Sequence, residues 1–165
     1  MKFVGGDSDF RAEAEFAAVG EARAGVPMDG GAVHPGEEVR GDGMDDAWQV
    51  QYFQPPNANA GPNADFDHMG QTNLFKSIAG LNPLDGSRFT LSIAPVSGQL
   101  TQKNLTFDPV VAGRTYTVTS KTDLTIAEWN AITVSAPSDS GTTRTVTDLN
   151  ATGEIKFYRI EITKP

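Results

Sequence analysis

The strongest constraint on this chain is a change in its hydrophobic period. From residue 87 onward apolar side chains recur at every second position: Phe89, Leu91 and Ile93, then Leu105 and Phe107, Tyr116 and Val118, and finally Tyr158, Ile160 and Ile162. A period of two turns one face of the backbone to a core and the other to water, as half-buried strands require. The spacing predicts strands near 88–95, 103–108, 114–120, 128–134, 142–148 and 155–163, with turn clusters such as Ser138-Asp139-Ser140-Gly141 between them. Short strands at such intervals predict a β-sandwich. Seventeen Gly and ten Pro among 165 residues fit many turns and exclude a plain helix bundle.

Upstream of residue 87 the pattern is helical and weaker. Met44, Trp48 and Tyr52 share one helical face, and so do Leu74 and Ile78. The stretch Gln54-Pro55-Pro56-Asn57-Ala58-Asn59-Ala60-Gly61-Pro62-Asn63 between them reads as loop. Nearer the N-terminus, Asp7 or Ser8 can cap a helix in which Phe10, Ala14, Ala17 and Ala18 line up, predicting a short helix over 8–19. Gly20, Gly25, Pro27, Gly30, Gly31, Pro35 and Gly36 then predict an irregular arm. That helix has too small an apolar face to be stable alone, so the arm is expected to dock on a partner. The expected organisation is an N-terminal arm with a short helix (1–37), a small helical module (38–86) and a β-sandwich (87–165).

Composition removes several function classes. The chain has no Cys, which excludes disulfides, thiolate metal sites and cysteine nucleophiles, and two His cannot make a three-histidine site. Its formal charge of −8 argues against a nucleic-acid partner. The acidity is concentrated: residues 1–48 hold 11 Asp/Glu against 4 Lys/Arg, whereas residues 49–165 hold 10 against 9. No apolar run is long enough for a membrane span. Met1-Lys2-Phe3-Val4 leads into Gly5-Gly6-Asp7 without the apolar stretch of a secretory leader, so export by that route is not expected.

The helical module carries the most specific pattern. A twelve-residue calcium loop places oxygen ligands at positions one, three, five, seven, nine and twelve, with Gly at six for the sharp turn. Counted from Glu38, these positions are Glu38, Arg40, Asp42, the Met44 carbonyl, Asp46 and Gln49, with Gly43 sixth. Counted from Asp65, they are Asp65, Asp67, Met69, the Gln71 carbonyl, Asn73 and Lys76, with Gly70 sixth.

On these residues the segments GDGMDDAWQVQYF and NADFDHMGQTNLFKSIAGLNPLD resemble degenerate thrombospondin type 3-like calcium repeats. The stretch from GRTYTVTSKTDLTIAEWNAITV through TRTVTDLNATGEIKFYRIEI resembles the C-terminal β-sandwich that follows such repeats in surface proteins of Verrucomicrobia-like bacteria. The resemblance covers residues 38–165 and implies an immunoglobulin- or fibronectin III-like sandwich behind a calcium-repeat-like module. The departures fall on the ligands: Arg40 stands at an acidic third position, Met69 at a fifth, and Gln49 and Lys76 at the two twelfth positions. Two expectations follow. Either Arg40 and Lys76 replace the metal and pair with Asp42, Asp46, Asp65 or Asp67, or those four aspartates, with carbonyls and water, form one weak Ca2+ site. Otherwise no cofactor is expected.

Other motifs carry less. Gly6-Asp7-Ser8 with Asp65-Phe66-Asp67-His68 resembles the blocks of GDSL-type hydrolases, but the βαβ pattern of that fold is missing between them, and His68 reads as an exposed loop residue. His34 beside Glu37 and Glu38 reads as solvated, and Arg40-Gly41-Asp42 as part of the loop. Asn104-Leu105-Thr106 and Asn150-Ala151-Thr152 match glycosylation acceptors, a match that means little without export. Trp48 and Trp129 read as core in preference to a sugar platform. No nucleophile–base pair emerges, so the chain is expected to be no enzyme but a structural or interaction protein. A phage head decoration or fibre subunit, with protein partners met through residues 1–37, reconciles the surface-protein resemblance with the leaderless start. It implies a virion or extracellular surface location. A carbohydrate-binding or adhesion module with a cell-surface glycan as partner, and a homo-oligomeric extracellular filament, are the alternatives.

Overall fold

The computed structural model describes residues 17–18, 41–54, 59–153 and 155–164, and most of them belong to two packed sheets. In chain order the elements are β1 (Ala17–Ala18), α1 (Asp46–Phe53), α2 (Asn73–Ala79), β2 (Thr90–Val96), β3 (Gln99–Asp108), β4 (Thr115–Lys121), β5 (Asn130–Ala131), β6 (Ser138–Ser140), β7 (Thr143–Asp148) and β8 (Phe157–Thr163). One sheet has the order β1-β8-β4-β5 and the other β2-β3-β7-β6. All pairings are antiparallel except β1 with β8, which is parallel.

Alternation explains the packing. On β8, Tyr158, Ile160 and Ile162 are buried while the residues between them are half-exposed. They meet Val118 of β4, and across the sandwich Leu105 and Phe107 of β3 and Val146 of β7. Each such side chain contributes roughly 1.5–3 kcal/mol by leaving water. Phe75, Ala79 and Leu81, from α2 and the residues after it, join the same cluster. Helix α2 therefore packs on the sandwich and shares its core. Phe89 is the centre of that junction, with ring centroids 6.3 Å from Phe75, 5.8 Å from Phe107 and 6.1 Å from Tyr116.

Several expectations change. The strand foreseen at 128–134 is only Asn130–Ala131, with a separate bridge from Val134 to Asp148. Ser138-Asp139-Ser140, read as a turn, is the edge strand β6. Its side chains are exposed, so no hydrophobic alternation marks it; backbone pairing to β7 and two 2.7 Å bonds from Arg144 to Asp139 hold it. On α1 the buried residues are Asp46, Gln49 and Phe53, while Met44 precedes the helix and is buried in the loop. The helix expected over 8–19 lies outside the described residues apart from Ala17–Ala18, which are a strand. Two alanines satisfy either period, and here pairing with Glu161 and Ile162 decides. Neither tryptophan is in the core. Trp48 is half-buried and donates from Nε1 to the Leu81 carbonyl at 3.0 Å, and Trp129 is half-buried on the outer face of its sheet.

Candidate functional site

The two calcium-type loops lead into the two helices and pack against each other. In the first, Gly41 and Gly43 take φ of 71° and 84° and turn the chain tightly around Asp42. Asp42 Oδ1 accepts from the Met44 N–H at 3.0 Å, and its Oδ2 accepts from Gln49 Nε2 at 2.7 Å. Gln49, at the twelfth position, thus donates its amide to the loop. Asp45 caps α1 by accepting from the Trp48 N–H at 3.2 Å, and it is ion-paired with Lys164 after β8. Burial pushes the Asp45 carboxyl up, but the hydrogen bonds from Lys164 and the helix N–H groups outweigh that and hold it below its ordinary value. Asp46 is buried in the first turn of α1. Arg40, Glu38, His34 and Ser8 lie outside the described residues.

In the second loop Asp65 closes the turn, accepting from Met69 N at 3.2 Å and Gly70 N at 2.8 Å. Asp67 Oδ1 accepts from Met69 N at 3.4 Å, and its Oδ2 is ion-paired with Lys76 Nζ. Lys76 is only 1% exposed. A cation deep in the loop needs a carboxylate beside it, because an unpaired buried ammonium is costly. Burial raises the Asp67 carboxyl, and the Lys76 hydrogen bond and charge overcome this and hold it below its ordinary value. Asn73, at the ninth position, is fully buried and donates Nδ2 to the carbonyls of Asn59 and Gly61 at 2.8 and 3.0 Å. His68 is exposed, with φ of 57°.

The second donor set does not fit Ca2+, because Lys76 is ion-paired inside it at the twelfth position. The ion requires six to eight oxygens, including a bidentate carboxylate from the twelfth position. In the second loop that position is an ammonium, whereas in the first Gln49 donates Nε2 to Asp42 and leaves its Oε1 buried without a hydrogen-bond partner among the described residues. Among the described residues no three His, Asp or Glu side chains gather to hold a metal. The carboxylates of Asp42, Asp65 and Asp67 instead accept from the N–H groups and the ammonium of their own loops. The Asp65–His68 half of the hydrolase-like pattern is likewise taken up, since both Asp65 oxygens hold backbone N–H groups.

Two arrangements had no clear sequence signal. Gln71, read only for its carbonyl, forms a two-way bond with the Phe89 backbone: Nε2 donates to Phe89 O at 2.7 Å and Oε1 accepts from Phe89 N at 2.9 Å. The amide acts as a one-residue strand partner that ties the second loop to the residue before β2. At the far end of the sandwich, Asp148 is buried and accepts from Asn150 N at 2.9 Å, Lys156 Nζ at 2.6 Å and Tyr158 Oη at 2.8 Å. It organises the β7–β8 connection. Burial, with the Asp148 bond and charge, pushes the Tyr158 hydroxyl far above its ordinary range. A shallow depression of about 230 Å3 lined by Met69, Gly70, Gln71, Arg88, Phe89, Thr90 and Leu91 is smaller than the usual ligand pocket. No helix among the described residues is long and apolar enough to cross a membrane. No family model matches the chain, and neither a curated protein nor a solved structure gives a significant match.

Proposed function

We propose that this chain is a non-enzymatic structural or interaction protein, a subunit of a surface assembly such as a phage head decoration or a fibre. The observation that carries this reading is the Lys76–Asp67 ion pair in the position where a calcium repeat would hold its metal. A loop that has exchanged its metal for an internal cation keeps its shape without a ligand, and shape is what an assembly module must supply. The neighbouring carboxylates are engaged in the same task, which leaves them poorly suited to acid–base chemistry.

The sandwich is of immunoglobulin type. The order β2-β3-β7-β6 corresponds to strands A, B, E and D, and β8-β4-β5 to F, C and C′. Such sandwiches serve mostly as rigid spacers and recognition modules. The carbohydrate-binding alternative would rest on Trp129, but Lys121 Nζ and the Arg159 guanidinium already lie 4.5 and 4.6 Å from its ring centroid. They compete with a sugar for the stacking surface.

Light scattering over a range of concentrations tests the reading. Self-association, or a defined complex with virion proteins, is the expected result. A strict monomer that binds glycans with measurable affinity would overturn it in favour of the adhesion module.

A further inference from the structure

Among the described residues β2 is the one long strand at a sheet edge. β6, at the other edge of its sheet, has three residues and carries the Arg144–Asp139 ion pair. β2 has seven residues, and none of residues 89–102 is Asp, Glu, Lys or Arg. A long uncharged edge is a template for strand pairing. The direction of its backbone groups can be read from Phe89, whose N–H and C=O both turn outward to Gln71. In an extended chain, residues two apart turn these groups to the same side. Leu91 and Ile93 therefore present theirs outward, while Thr90, Ser92 and Ala94 face β3. The outward groups of Leu91 and Ile93 have no hydrogen-bond partner among the described residues. Pro95 comes next on that side, has no N–H, and is followed by a shift in the β2–β3 register. The open window is thus two residues long, bounded by Gln71 and by Pro95.

We infer that the β2 edge is a self-association site, which pairs with the same edge of a second copy, antiparallel and about a twofold axis at Ser92. In this register Leu91 of one copy lies opposite Ile93 of the other, and each such pair exchanges two hydrogen bonds. The four bonds use every outward group of both residues. Phe89 falls opposite Pro95, and nothing is lost there: Gln71 already donates to the Phe89 carbonyl, and Pro95 has no N–H to give. The contact is isologous, one patch serving on both copies. It rests on the reading of the chain as an assembly subunit and names the edge through which two copies meet.

Charge and size select a second copy as the occupant. Two chains of formal charge −8 repel each other, and they approach with least repulsion where neither presents a charge. A longer foreign strand would meet Gln71 at one end of the window and the register shift after Pro95 at the other, whereas a copy of β2 is matched to the window by symmetry. The pairing is short and buries less than the roughly 1,200 Å2 of a stable interface, so it is weak and concentration-dependent when it acts alone. Contacts of that strength gain avidity when an assembly repeats them.

The test uses the full chain, which has no Cys of its own. Thr90, Ser92 and Ala94 have exposed side chains, so changing them leaves the core intact. Ser92→Cys sets one thiol on each side of the axis in a non-hydrogen-bonded pair, whose Cα atoms lie about 4.5 Å apart, within reach of a disulfide. Mild oxidation should give a covalent dimer on a non-reducing gel. Thr90→Cys and Ala94→Cys should each stay monomeric alone, because the register sets them opposite one another, and mixing the two should give the mixed dimer. Ser92→Lys puts like charges face to face and should weaken self-association several-fold in light scattering, and an equimolar mixture with Ser92→Glu should restore it. Equal cross-linking of all three single variants would reveal collision without register and overturn the inference, as would absence of the mixed dimer. Self-association that Ser92→Lys leaves unchanged would overturn this contact and spare the assembly role. A strict monomer at every concentration would also overturn the inference, whereas the assembly role falls only if that monomer binds glycans.

Discussion

Lys76 and Asp67 are the twelfth and third positions of one calcium-type loop, and their side chains form an ion pair inside it. The charge that the fold needs at that point is supplied by the chain itself. An ammonium donates hydrogen bonds where a bidentate carboxylate would accept a metal, so a single substitution inverts the chemistry of the loop. Lys76→Met should destabilise the protein by about 3 kcal/mol, because it leaves Asp67 with an uncompensated and largely buried charge. Lys76→Glu is the sharper experiment. It crowds three carboxylates together and should lower Tm by about 10 °C in chelator, with millimolar Ca2+ restoring much of the loss. The unaltered protein should melt at the same temperature in Ca2+ and in chelator. A calcium-dependent Tm in the unaltered protein would show that the loops still bind metal.

Gln71 links the module to the sandwich through both backbone groups of Phe89. Gln71→Ala removes both bonds at a buried junction, and urea unfolding should register a loss of about 2–4 kcal/mol. Gln71→Glu separates the two bonds. An ionised carboxylate still accepts from the Phe89 N–H but faces the Phe89 carbonyl without a proton to give. This variant should be less stable than the parent at pH 7 and should regain part of the difference on acidification, as the carboxyl takes up the missing proton. A variant whose deficit is the same at both pH values would place the cost elsewhere.

The long strands could be read from sequence because their inward faces are apolar: Tyr158, Ile160 and Ile162 admit one period only. β6 could not, since Ser138, Asp139 and Ser140 bury nothing and the strand exists through backbone pairing at an edge. β1 was ambiguous for another reason. Alanines at 14, 17 and 18 fit a helix as well as a strand, and a long-range partner on β8 settles the matter. In the loops, counting positions was enough to make Lys76 and Asp67 neighbours. It could not reveal Gln71, whose side chain acts toward Phe89, eighteen residues away in sequence. The network around Asp148 was equally hidden, because Lys156 and Tyr158 become its partners only when the β7–β8 connection folds back.

Gly80 ends α2 with φ of 76° at a place where the helix meets the β3–β4 connection. A Cβ there would lie 2.9 Å from Val111 Cγ1 and 3.3 Å from Arg114 Nη2. Arg114 cannot easily withdraw, since its guanidinium is bonded to the Ile78 and Ser77 carbonyls at the helix C-terminus. Gly113 has a similar φ of 74° with nothing within 4 Å of the same position, and so supplies a control. Gly113→Ala should cost about 1 kcal/mol, the backbone penalty alone. Gly80→Ala should cost about 2–4 kcal/mol, as the clash adds to the same penalty. Equal losses in thermal or urea unfolding would mean that the junction yields to the methyl group.

Asp148 gives the fold a defined acid sensitivity. Burial pushes its carboxyl up, but bonds from Lys156, the Asn150 N–H and Tyr158, with the Lys156 charge, more than offset this and hold it below its ordinary value. A carboxylate whose native pKa lies below its unfolded one binds fewer protons when folded. Its stabilising contribution is therefore complete above the unfolded value, about 3.9, and is lost as the pH falls through the native one. Asp148→Asn removes that dependence and leaves Lys156 without its buried counter-charge, for a loss of about 3 kcal/mol at pH 7. Urea unfolding from pH 7 down to pH 2 should show the two proteins far apart at neutrality and converging below about pH 4. Curves that stay parallel over the whole range would mean that the acid sensitivity belongs to other carboxylates and that Asp148 contributes equally in both protonation states.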